Sequence, residues 1–278
     1  MPHPPMPFTK MHALGNDYIY LDAVSHPALA ARPDLPQLAR ILSHRRTGIG
    51  ADGLIIIQKP EPDSQIKPGS GVAMRIFNAD GSEAELCGNG IRCVAKYAVE
   101  HGLVPNAMPG SLAIESITGL LHHMTYTTDS AGLVNSVSVD MGVPTFDLPV
   151  NSEHLMPVPG SNSTYTLNLQ THCATPATLV AVGNPHAVFF METADALDAI
   201  DLATLGPAVE NHPAFRPHRI NAHFVHVRTD HEITMRTWER GSGITQACGT
   251  GACAVGVACI LLDKHRARPS PPTCRAAN

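Results

Sequence analysis

The turn Cys87-Gly88-Asn89-Gly90 returns later in the chain as Cys248-Gly249-Thr250-Gly251. Each copy is followed by a second cysteine, Cys93 or Cys253, and by an apolar helical segment. This repeat constrains the fold more than any other feature, because it implies two similarly built domains, each presenting one thiol at a helix N-terminus. The 278 residues leave room for both, on a scale of roughly 150 residues per domain. The Pro- and Ser-rich stretch from Met141 to Ser163 carries little periodic signal, which puts the boundary there: an N-terminal domain over 6–140 and a C-terminal one over 141–265.

The periodicities predict an α+β fold. A helix starts at Asp34, places Leu35, Leu38, Ile41 and Leu42 on one face and stops near Gly48. The β-branched run at 53–57 reads as a buried strand with 73–77 as its neighbour. A helix follows from Cys93 and closes on Gly102. Strands are expected at 112–117, 120–127 and 134–140, then near 177–182, 186–191, 221–228 and 231–237, with a helix from about Asp201. The segment from Thr250 to Lys264 is apolar nearly all round, which predicts a helix enclosed by its domain.

Composition excludes several classes of function. The net charge is −5 and no basic cluster exceeds His44-Arg45-Arg46, so nucleic acid is not an expected partner. The longest apolar run, Cys253 to Leu262, is far short of the roughly 20 residues of a membrane span. The first residues lack a secretory pattern, so a cytoplasmic protein is expected. Seven cysteines are an odd number in a long chain and read as free thiols. Their spacing contains no Cys-x2-Cys pair, which disfavours zinc, and neither glycine turn ends as a phosphate loop does. Cys93, Cys253 and Cys259 read as small core residues, and Cys173 and Cys274 carry no signal. Trp238 reads as strand packing.

A helix N-terminus has unpaired N–H groups and a partial positive charge, so it binds anions and lowers the pKa of a nearby thiol. Glycines let backbone amides approach a ligand closely. Two such thiols suit a reaction that is itself nearly symmetric: in a racemisation one group removes a proton from a stereocentre and another returns one from the opposite face. The charge that develops beside a carboxylate would be stabilised by donors at the two helix ends.

Longer segments carry a specific likeness. Met11-His12-Ala13-Leu14-Gly15-Asn16-Asp17, Gly48-Ile49-Gly50-Ala51-Asp52-Gly53 and Phe77-Asn78-Ala79-Asp80-Gly81-Ser82-Glu83 precede Cys87-Gly88-Asn89-Gly90-Ile91-Arg92-Cys93. Gly183-Asn184-Pro185-His186, Arg219-Ile220-Asn221, Glu239-Arg240-Gly241 and Thr245-Gln246-Ala247-Cys248-Gly249-Thr250-Gly251 follow in order. With these motifs the chain resembles the diaminopimelate epimerases, from about residue 8 to 264. The resemblance implies two similar domains, each a mostly antiparallel sheet curved around a central helix, with the active site in the cleft between them. It implies Cys87 and Cys248 as acid/base thiols, assisted by His186 and Glu239. It implies Asn16, Asn78, Asn184, Asn221, Glu239 and Arg240 as substrate-binding residues, with the turn amides of Gly88, Asn89, Gly249 and Thr250 holding the reacting carboxylate. The expected reaction is epimerisation of LL-2,6-diaminopimelate to the meso form, in lysine and peptidoglycan precursor synthesis. The expected enzyme is a homodimer acting on a small-molecule amino-acid substrate without cofactor or metal.

The likeness fails near the end. Members of the family continue past the second helix with further strands and a Pro-Gly-Gly turn, whereas Arg266 to Asn278 is Pro-rich and aperiodic. The expectation is an incomplete C-terminal domain with a disordered tail over 266–278, as a truncated or frameshifted reading frame would produce. Two alternatives stand beside the epimerase reading: another racemase or epimerase of the same superfamily, and a chain that only binds ligand or is inactive.

Overall fold

A computed structural model describes residues 6–169, 175–245 and 247–264. Cys173, Cys274 and the tail expected at 266–278 lie outside the described residues. The chain divides after Asp140 into two compact units.

In the first unit, β1 (Thr9–Ala13) and β2 (Asn16–Asp22) form a hairpin whose turn needs positive φ at Leu14 and Gly15. A crossover carrying α1 (Leu35–Ser43) leads to β3 (Gly53–Gln58), which joins β2 in parallel with Tyr18 opposite Gly53. Then come β4 (Gly71–Asn78), the short β5 (Glu83–Ala84), α2 (Gly88–Glu100), β6 (Ser111–Glu115), β7 (Leu121–Thr128) and β8 (Val134–Val139). The sheet runs β1-β2-β3-β4-β6-β7-β8, with β5 paired to β4, and is antiparallel except at β2–β3 and β4–β6.

The run at 53–57 is wholly buried because both faces of this sheet are covered. Ile55 and Ile57 join the cluster that holds Ile91, Val94 and Ala98 of α2, while Leu54 and Ile56 pack with Leu35 and Ala39 of α1. Alternation along one strand thus serves two helices.

The second unit repeats the plan with β9 (Met156–Pro157), β10 (Thr164–Leu167), β11 (Thr175–Val182), β12 (Asn184–Phe190), α3 (Ala194–Asp198), α4 (Leu202–Glu210), β13 (Asn221–Thr229), β14 (Glu232–Glu239), β15 (Gly243–Thr245) and α5 (Gly249–Leu261). Its order is β15-β14-β13-β12-β11-β10-β9, with one parallel pair, β12–β13, in which His186 lies opposite Asn221. Val180, Val188 and Val225 pack against α5, and Leu179, Phe189 and Phe224 against α3 and α4. The architecture is therefore α+β with two mostly antiparallel curled sheets. No helix among the described residues is long and apolar enough to cross a membrane.

Two expectations need correction. The first repeat helix starts at Gly88, not Cys93, because Cys87 caps it. The second is not enclosed: Ile260 and Leu261 are 53% and 46% exposed, and Ala252, Cys253, Gly256 and Val257 are only partly covered. α5 meets its sheet through small residues on one side, Ala254, Val255, Ala258 and Cys259, and among the described residues its opposite side is left open. Cys93 and Cys259 are core residues, whereas Cys253 is half-buried.

Candidate active site

Both repeat cysteines are helix N-caps with nearly the same backbone, φ −129° and ψ 109° at Cys87, φ −126° and ψ 111° at Cys248. Each sulfur accepts a hydrogen bond from the amide three residues on: Gly90 N at 3.3 Å and Gly251 N at 3.4 Å. Sulfur here takes the place usually filled by a Ser or Asp oxygen. The result is a thiol fixed at the positive end of a helix dipole.

In the first unit the Cys87 Sγ lies 3.3 Å from Asn16 Oδ1, to which its S–H can donate. Asn16 is held in turn by Asp52, which also accepts from the Asp17 backbone and from Arg45. Burial works against the Asp17 carboxylate, but hydrogen bonds from Arg45 and Lys10 hold its pKa down at about 2. This fixed ionic frame orients the Asn16 amide. The phenol of Tyr18 shares a hydrogen bond with Cys87, and its pKa is pushed up first by burial and then by the thiol.

In the second unit Cys248 is buried, 4% exposed. Its pKa moves up, driven by burial and then by the Glu239 carboxylate, which outweigh the opposing bonds from Thr250 and Gly251. The downward shift expected from a helix terminus is therefore reversed here: exclusion of water penalises the thiolate more than the dipole favours it. Thr245 donates its hydroxyl to Glu239 at 2.5 Å. Beside the thiol, His186 Nδ1 and His223 Nε2 share a hydrogen bond of 2.8 Å, and His223 Nδ1 lies 3.1 Å from Thr237 Oγ1. Burial drives both imidazoles toward their neutral forms, His223 down to about 3.

The sequence profile of the diaminopimelate epimerase family matches residues 8–146 and 178–270. Diaminopimelate epimerase of Geobacillus kaustophilus (strain HTA426) is 42% identical over 263 residues, covering 92% of this chain and 82% of that protein. That of Bacillus cereus (strain B4264) is 43% identical over 260 residues with the same coverage. The chain belongs to the diaminopimelate epimerase family. Among solved structures, a probable proline racemase from Agrobacterium radiobacter K84 aligns with a TM-score of 0.64 at 17% identity, covering 95% of this chain and 80% of the other. A hydroxyproline epimerase from Agrobacterium vitis aligns at 0.61 and 15%, covering 96% and 79%. At such identities the likeness is one of fold.

Within this epimerase-family chain the expected site residues fall into two sets, one per unit. Cys87, Asn16, Gly88 and Asn89 gather at the start of α2, where Arg92 binds the Asn89 side chain at 2.6 Å. Asn78 sits at the end of β4 and donates to Ser82 at 3.0 Å, in the turn before β5. In the second set, Asn221 donates to the Pro185 carbonyl and accepts from the Arg240 amide, and the Arg240 guanidinium donates to Asn184 Oδ1. Asn184, His186, Asn221, Glu239 and Arg240 thus share one end of the sheet with Cys248, Gly249 and Thr250.

Sequence reasoning missed Tyr18, His223 and Glu210. A signal existed for the first: Gly15-Asn16-Asp17-Tyr18 and Gly183-Asn184-Pro185-His186 are equivalent hairpins, so Tyr18 stands in its unit where His186 stands in the other. Glu210 carried none. Its buried carboxylate accepts from Arg219, the Trp238 indole and the Gly241 amide, and so pins the turn that follows Glu239 and Arg240.

Proposed function

We propose that this chain interconverts LL- and meso-2,6-diaminopimelate by removing and returning one α-proton through Cys87 and Cys248. The matched pair of cysteine N-caps carries this reading. One sulfur, as thiolate, takes the proton from one face of the α-carbon, and the other, as thiol, delivers its proton to the opposite face. The substrate keeps its hydrogen count, and the two sulfurs exchange protonation states.

The negative charge that passes onto the α-carboxylate in between is met by the turn amides of Gly88, Asn89, Gly249 and Thr250, preorganised donors at helix N-termini. Burial and Glu239 keep the proton on Cys248, which suits it to deliver first. Glu239 and the neutral His186 imidazole are the nearby groups that adjust the proton affinity of this thiol or assist its transfer. Asn16, Asn78, Asn184, Asn221 and Arg240 supply the amide and guanidinium contacts that a substrate with a second amino-acid end requires. A two-sided transfer needs both thiols on one α-carbon. The finer parts of the reading rest on the family resemblance: lysine and peptidoglycan precursor synthesis, a cytoplasmic homodimer, no cofactor.

Incubation of the protein with either isomer in deuterated water should place solvent deuterium at the α-carbon. Cys87→Ala and Cys248→Ala should each lower turnover by roughly 10²–10⁴-fold, the usual contribution of a proton-transfer group. Faster exchange on proline than on diaminopimelate would redirect the assignment to another amino acid, and unchanged turnover in either variant would remove that thiol from the mechanism.

A further inference from the structure

Three donors that stand far apart in the sequence meet beneath the Cys248 cap. His186 of β12, His223 of β13 and Cys248 ahead of α5 each offer one ligand atom, and these atoms lie within 4.8 Å of one another. The residues are 0%, 0% and 4% exposed. His186 Nε2 has no hydrogen-bond partner among the described residues, and an unsatisfied polar atom in such a place costs on the order of 1–3 kcal/mol. This buried cluster therefore holds a polar demand that the described residues do not meet.

We propose that His186, His223 and Cys248 form a binding site for a borderline-soft divalent cation of the zinc type. Two imidazoles and a thiolate are a donor set that such ions favour, and one that calcium and magnesium, which require oxygen, do not. Tetrahedral zinc, with bonds of about 2.0–2.3 Å, spaces its N and S ligands roughly 3.3–3.6 Å apart. The three ligand atoms lie within 4.8 Å of one another, so shifts of roughly 1 Å bring them to that spacing, with the unpartnered Nε2 as the donor of His186 and its Nδ1 released from His223. Glu239, hydrogen-bonded to Cys248, lies beside this donor set, and a solvent molecule completes four-coordination.

The protons balance. Both imidazoles bind as neutral rings, and the proton they share moves to whichever ring nitrogen is left unligated, with Thr237 next to His223 Nδ1 as a partner. The thiol loses its proton to solvent, so one proton is released for each ion bound. Spacing along the chain cannot reveal such a site, because the ligands come from two strands and a helix cap. Its existence does not depend on the catalytic reading. Its consequence does: an occupied site removes Cys248 from proton transfer, so the ion acts as a reversible inhibitor that a chelator relieves.

Cobalt(II) titrated into the reduced, metal-free protein is the probe, because its spectrum reports the ligands whether or not the protein turns over substrate. The expected result is about one equivalent bound, with a thiolate-to-cobalt charge-transfer band and the intense visible bands of a four-coordinate ion, both displaced by zinc. Cys248→Ser and His223→Gln should lose these bands, and Cys87→Ser should keep them. Circular dichroism shows whether each variant is folded, and Cys248→Ser, nearly isosteric, carries the test if His223→Gln is not. Absence of the bands in the wild-type protein, or their persistence in folded Cys248→Ser, overturns the proposal.

Discussion

Gly251 shows how one missing side chain builds a site. A Cβ at this position would fall 2.3 Å from His223 Cε1, so the glycine both opens the first turn of α5 and admits the imidazole against it. A Cβ at its counterpart Gly90 would meet the flexible end of Ile55 at 2.6 Å, with the Cys87 side chain at an ordinary 3.5 Å. Gly251→Ala should therefore destabilise the protein by about 1–3 kcal/mol, as overpacking does, and by clearly less in a His223→Ala background. Urea unfolding of the four proteins in this cycle measures the coupling. The glycines were legible in the sequence as repeat positions. That one of them faces a histidine was not, because strand register decides which residue lies beneath a helix turn.

At the scale of elements, the ends of β12, β13 and β14 carry the second half-site, and Glu210 at the end of α4 anchors them from outside. Replacing it by Ala strands the Arg219 guanidinium, 48% exposed, and leaves the Trp238 indole and Gly241 amide without their acceptor. Glu210→Ala should cost about 1–3 kcal/mol, the range for donors left without an acceptor, with little added by the half-exposed Arg219 pair, and should raise KM by loosening Arg240. Glu210→Gln should recover part of both, since the Gln carbonyl can still accept from one of these donors. Strands were expected on either side of Gly183-Asn184, whereas β1 and β2 on either side of Gly15-Asn16 were missed. The start of α2 was misplaced because a cysteine is an uncommon cap, and the enclosure of α5 was misjudged because all-round apolarity does not say how many sides are covered. Glu210 was invisible, since its partners are distant in the chain.

For the whole molecule, stability against pH follows from groups buried in their neutral forms. His186 and His223 have folded pKa values below the usual 6.5, His223 near 3. The unfolded chain therefore takes up protons first as pH falls, and stability present above 6.5 is lost between 6.5 and about 3. The slope is roughly 1.4 kcal/mol per pH unit for each histidine. Cys248 and Cys259 shift the other way, Cys259 to about 11, so their contribution is complete below 9 and is lost as pH rises through that interval. Denaturant unfolding between pH 4 and pH 10 should show a plateau from about 6.5 to 9, and His223→Gln should flatten the acid side. The two-unit plan was legible from one repeat and one aperiodic stretch, because a helix cap and a boundary leave local marks. The pairing of Tyr18 with one thiol and of two histidines with the other was not, because it follows from parallel strand pairing across long crossovers. The caps themselves carry a last consequence. In each unit the sulfur proposed to carry the proton is also the fastener of a helix, so a thiol-alkylating reagent is also an uncapping reagent. At half-exposed Cys87 the added group displaces the acceptor of the Gly90 amide and frays the first turn of α2, while Cys248 is shielded until its unit opens. The order in which the two sulfurs react is thus a clock for local opening in one half of the chain.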